Sequence, residues 1–291
     1  MPLHLQVTRT FGFCWVAGTF LGLAIQAQPK TPVPSFESSQ TAPVDNQKQA
    51  GRPLTIEIPA VNYSLGGKTK VEFSPTSLVP GAQGQGQVKA PKEGSVSVDV
   101  QFSGLERPTK FGNEFLTYVL WASVPKGRTL KIGELTLEGD RGRVAATTVL
   151  RTFSMMVTAE PYALVRNPSS IVILKGNSST SDAAQTALAQ VELLGDAYAP
   201  PGYKYEPLDT SSGYPPKIIQ AMNARRIAKV TGAEKYAPAK FRAAEDLYRY
   251  MTAVAIQDKK VSKQTIKVAE SVTQSYEEAR EMSIRNQQNH K

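Results

Sequence analysis

The sequence predicts an α+β protein with its two kinds of structure in separate domains: an antiparallel, Ig-like β-sandwich followed by an α-helical hairpin or three-helix module. Three observations predict it. Short runs of alternating apolar and polar residues, bounded by Gly, Pro and Asn, recur from Arg52 to Lys175. From Lys217 onward proline occurs only at Pro238 and helix formers dominate. Between them, residues 176–216 hold a Tyr/Pro-rich connector.

The elements follow in chain order. Residues 1–27 carry Arg9, an apolar run Phe11–Ile25, and Gln26-Ala27, which reads as a signal peptide cleaved after Ala27. Cys14 sits near the start of that run with Phe13 before it, which is no lipobox. Residues 28–51 are rich in Pro, Ser, Gln and Thr and read as a disordered tether. The β domain, residues 52–175, offers runs at Leu54–Ile58, Lys68–Phe73, Ser95–Phe102, Phe115–Trp121, Thr129–Ile132, Arg143–Val149, Ser154–Thr158 and Ser170–Leu174. In one of them Val96, Val98, Val100 and Phe102 share a face, and Ser95, Ser97, Asp99 and Gln101 share the other. The connector contains a short helix after Asp182, with Leu188, Val191 and Leu194 spaced by three, and then an extended stretch with Tyr198, Tyr203, Tyr205 and Tyr214 among prolines. The helical module, residues 217–288, divides into segments at about 217–231 closed by Gly232, 238–258 opened by Pro238, and 261–286. In the last, Val261, Thr265, Val268, Val272, Tyr276 and Ala279 form one apolar stripe suited to a hairpin or coiled coil.

Composition narrows the chemistry. The chain has 291 residues, 41% hydrophobic and 20% charged, enough to bury a core. Its only cysteine is Cys14 and its only histidines are His4 and His290. That excludes Cys-His nucleophiles, Ser-His-Asp triads, disulfides and His/Cys zinc sites from the exported chain. No cofactor or metal site is expected, and no enzymatic activity. Ser123-Val-Pro-Lys126 matches Ser-x-x-Lys, but Pro125 and Gly127 place it in a loop. Gly81-Ala-Gln-Gly-Gln-Gly86 lacks the Gly-Lys-Ser/Thr of a phosphate loop and reads as an inter-strand loop. Glu57, Glu72, Asp99 and Glu160 read as surface carboxylates, and Trp121 as a core anchor.

The net charge is +9, of which residues 217–291 contribute 15 basic and 8 acidic side chains, a net +7. In an exported protein the matching partners are an anionic cell-wall polymer or another envelope protein rather than nucleic acid. The candidate interaction surface is Arg225, Arg226, Lys229, Lys235, Lys240, Arg242, Lys259, Lys260, Lys263 and Lys267. The same stripe that closes a hairpin also permits a homo-oligomer through the helical module.

Two stretches look familiar. Phe115–Leu135 followed by Phe153–Pro161, with its Tyr118-Val-Leu-Trp121 strand and Val157-Thr-Ala-Glu-Pro161, resembles the extracytoplasmic C-terminal domain of anti-sigma-K-type factors, which implies a non-enzymatic sensor or interaction sandwich. Ala228–Leu247, with Gly232, Tyr236, Ala237 and Pro238 at a helix turn, is similar to domain-of-unknown-function family 4398. That resemblance implies an exported envelope protein of the kind often joined to an OmpA-type domain. The residues explain the turn physically: Gly232 supplies a left-handed cap and Pro238 starts the next helix. The function expected is therefore a periplasmic or secreted binding, scaffold or sensor module. The alternatives are a carboxylate-dependent cell-wall hydrolase, and a membrane-anchored regulator that keeps its leader.

Overall fold

Alternating side chains send one face of each early strand inward. Val96, Val98, Val100 and Phe102 are buried, while Ser97, Asp99 and Gln101 on the opposite face keep contact with solvent. The computed structural model describes residues 54–63, 67–178, 185–194, 198–210, 213–257 and 261–289, all inside one unit spanning Asn46–Lys291. The leader with its Ala27 site and the 28–51 tether lie outside the described residues. No described helix is long and apolar enough to cross a membrane.

The architecture is mixed α+β: a large antiparallel sheet followed by helices at the C-terminal end. The strands are Leu54–Asn62 (β1), Gly67–Pro75 (β2), Gln83–Ala90 (β3), Val96–Ser103 (β4), Thr117–Ser123 (β5), Thr129–Glu134 (β6), Thr136–Glu138 (β7), Arg141–Thr148 (β8), Thr152–Glu160 (β9), Val172–Ser178 (β10) and Gln185–Leu193 (β11). They hydrogen-bond in the order β11-β1-β9-β10-β2-β3-β4-β8-β7, and β5 joins β9 to β6. Strands β6 and β8 then approach each other, with Gly133 set where a Cβ would meet Val144 Cγ1 at 3.2 Å. The sheet thus nearly closes into a barrel. Its interior is filled by Phe73, Phe102, Leu120, Val144 and Met155 among others.

Two stretches depart from their expected conformations. Within the supposed Gly81–Gly86 loop, Gln83–Gly86 form the first half of β3, where Gly84 and Gly86 face crowded positions. A Cβ on Gly84 would stand 2.6 Å from the Phe102 ring, which packs edge-on to Phe73 at 5.1 Å. A Cβ on Gly86 would stand 2.2 Å from the Asp99 carbonyl oxygen. These residues let the sheet curl sharply rather than loosen it. The short helix expected after Asp182 is instead β11. Ala189, Val191 and Leu193 alternate into the core, and β1 supplies the ladder partner from Leu54↔Leu193 to Ala60↔Ala187. Pairing with a strand far away in sequence overrides the three-residue spacing.

The helices are Pro216–Val230 (α1), Ala233–Tyr236 (α2), Pro238–Gln257 (α3) and Lys263–Asn289 (α4). Gly232 has φ +79°, the left-handed conformation expected of it, and α2 is a single turn inserted before Pro238. The corner is held by α4. Ser283 Oγ and Gln287 Nε2 each donate to the Thr231 carbonyl at 2.8 Å, and Asn286 Nδ2 donates to the Tyr236 carbonyl at 2.6 Å. Side chains along α4 face both α1 and α3, so the buried set widens beyond the predicted stripe to include Ala269, Thr273, Glu277, Arg280 and Ser283.

Candidate functional site: the buried polar junction

Strands β5 and β9 pair with each other and are buried on both faces, unlike β4. Cross-strand neighbours share a face, so Thr117, Val119 and Trp121 lie with Glu160, Thr158 and Met156 on one side. That side carries polar groups, and they meet the helices. Trp121 is buried as expected, with its Nε1 donating to Thr158 Oγ1 at 2.8 Å.

Glu160 departs most from expectation. Read as a surface carboxylate, it is fully buried at the end of β9. It accepts from the Thr158 hydroxyl, from the Ser169 amide at 2.8 Å and from the Tyr198 hydroxyl at 3.0 Å. Burial pushes its carboxyl up to about 7, which these donors oppose and nearby Glu277 reinforces.

The second half of the junction comes from α4. Glu277, also fully buried, accepts from Arg280 Nε at 2.7 Å and Nη2 at 2.9 Å, and from the Tyr162 hydroxyl at 2.6 Å. Burial disfavours both charges, but the Arg280–Glu277 attraction outweighs it. The carboxyl ends below its ordinary value, and the guanidinium is held charged. Arg280 also lies over the Tyr198 ring, 5.3 Å from its centroid. Tyr198 therefore stands between the two acids.

Helix α1 fastens the surrounding loops. Gln220 accepts from the Ala163 amide at 3.0 Å and donates to Glu134 at 2.6 Å. Asn223 Nδ2 donates to the carbonyls of Glu114 and Pro161 at 2.7 and 2.9 Å. The 198–210 stretch, expected to run as an extended connector, is drawn into the core by Tyr198 and Tyr205, and the Tyr205 hydroxyl donates to the Tyr198 carbonyl. Among the described residues no buried side-chain nitrogen or oxygen lacks a hydrogen-bond partner, and no cluster of three metal-ligating side chains occurs.

The predicted basic surface is divided. Arg225 is bound to Glu245 at 2.7 Å and 3.0 Å and lies over Tyr248, while Lys229 adds to the positive field on that same carboxylate. Arg226 is built into the fold: it bonds Asn223, the carbonyls of Glu206 and Asn113, and the face of Tyr205. Lys240 pairs with Glu278 at 3.2 Å, and Lys235 lies over Tyr236. Arg242, Lys263 and Lys267 are exposed and have no ion pair among the described residues. Lys267 lies eleven residues before Glu278 on α4, roughly 16 Å at about 1.5 Å per residue, so the two lysines do not share a patch with Lys240. Lys259 and Lys260 lie outside the described residues. Glu277 and Arg280 were missed because an i,i+3 charge pair on a helix usually marks its wet side. One signal for Glu160 was present: Met155-Met156-Val157 is a continuous apolar run, typical of a strand covered on both faces.

No family model, no curated protein and no solved structure matches this chain.

Proposed function

We propose that this protein is a non-enzymatic, exported envelope protein that acts as a binding, scaffold or sensor module. In this reading the nearly closed sheet serves as an Ig-like sandwich of the anti-sigma-K type. The helices, with their resemblance to domain-of-unknown-function family 4398, form a basic hairpin that contacts an anionic wall polymer or a partner helix in the periplasm or outside the cell. The observation that carries it is the division of the basic residues. Arg225, Arg226 and Lys240 are engaged within the protein, whereas Arg242, Lys263 and Lys267 stand exposed without ion-pair partners among the described residues. Exposed lysines and arginines of this kind attract polyanions at low ionic strength.

The test is co-sedimentation of the mature protein with purified cell-wall sacculi across a salt series. Binding that weakens as salt rises, and that Arg242→Glu/Lys263→Glu/Lys267→Glu abolishes, is the expected result. Salt-independent binding, or none, removes the wall polymer as partner.

A further inference from the structure

The junction between sheet and helices buries two carboxyl groups beside one guanidinium, and that guanidinium is already committed. Arg280 gives Nε and Nη2 to Glu277. Among the described residues the donors to Glu160 are all neutral: the Thr158 hydroxyl, the Ser169 amide and the Tyr198 hydroxyl. The groups facing it come from every neighbouring element. β5 brings Trp121, bonded through Thr158, and α4 brings Glu277 and Arg280. The loop after β9 brings Tyr162, whose hydroxyl is spent on Glu277, and the 198–210 stretch brings Tyr198. Lys131 of β6 is within electrostatic reach, but its ammonium donates to the Ala163 carbonyl and forms no ion pair with a carboxylate among the described residues. With a proton on Glu160, the cluster holds one matched ion pair. Without it, a second anion sits in the same dry volume.

We propose that this junction is a proton-operated latch: protonated Glu160 holds Tyr198 and its 198–210 stretch, together with α4, against the sheet, and ionisation of Glu160 loosens them. The latch deepens the sensor part of the function proposed above, because α4 also carries Lys263 and Lys267. Its test does not involve wall binding, so either idea can fail alone.

The sign follows from the direction of the shift. The folded carboxyl titrates near 7 and the unfolded one near its ordinary 4.5, so the folded state holds the extra proton between those values. This contribution to stability is complete below about 4.5, declines as pH rises, and is gone above about 7.

The experiment is urea unfolding of the full mature chain between pH 5 and 8, alongside Glu160→Gln, which keeps a neutral acceptor in place. The unfolding constant of the unsubstituted protein should rise on the order of 50-fold more across that range than that of Glu160→Gln. Equal pH dependence in the two proteins overturns the proposal. If Glu160→Gln does not fold, ¹³C-carboxyl titration of the unsubstituted protein decides. One glutamate with a midpoint near 7, accompanied by a Tyr198 ring shift at the same midpoint, upholds the latch; no glutamate titrating above about 5.5 overturns it.

Discussion

Arg280→Met tests whether the junction is held by its ion pair or only by shape. Methionine keeps much of the apolar stem and removes the guanidinium, which is 2% exposed and sits 2.7 and 2.9 Å from a Glu277 that is 0% exposed. Two charges about 4 Å apart at an effective dielectric constant near 20 attract by roughly 4 kcal/mol. Breaking a buried pair from one side typically costs about 3–5 kcal/mol, because the remaining charge is stranded. For a unit of this size each kcal/mol moves the melting temperature by about 2–4 °C, so Arg280→Met should melt roughly 10 °C lower near pH 8. The deficit should shrink at acid pH, where Glu277, no longer held below its ordinary value, takes up a proton. Calorimetry of Arg280→Met, Glu277→Gln and the double variant completes the cycle. The double variant should recover at least half of the loss, since the Glu277 charge is no longer stranded without its partner. A single variant within about 1 kcal/mol of the unsubstituted protein, or a double variant less stable than Arg280→Met, would refute the argument.

Two further substitutions test the glycines. Gly86→Ala places a methyl 2.2 Å from the Asp99 carbonyl oxygen, backbone that cannot swing aside, and should lower stability by about 2–3 kcal/mol in urea titration. Gly232→Ala forces a side chain into φ +79° against Tyr236 and should cost about 1–2 kcal/mol, with Gly232→Asn recovering part of it because asparagine tolerates that conformation.

Local chemistry reached the helices almost intact. Pro238, the absence of other prolines and the freedom of Gly232 set the limits of α1, α3 and α4 to within about three residues, because capping and proline sterics act inside a single turn. The same held for strands that alternate cleanly, such as β4. It failed where the deciding partner lay far along the chain. β3 reads as a glycine loop until Phe73 and Phe102 crowd it, and β11 reads as a helix until β1 offers a ladder.

The site shows the division most sharply. The sequence by itself determined that chemistry here would rest on carboxylates, lysines and hydroxyls, because cysteine and histidine are almost absent. It also determined that positive charge concentrates in the helical quarter of the chain, residues 217–291. Only the tertiary structure decided which of those charges are buried. Glu160, Tyr198, Glu277 and Arg280 are separated by up to 120 positions in the sequence and meet only when the sheet, the 198–210 stretch and α4 close on one another. A carboxylate's environment is set by whatever excludes water from it, and for Glu160 those atoms lie on segments whose approach no local pattern records.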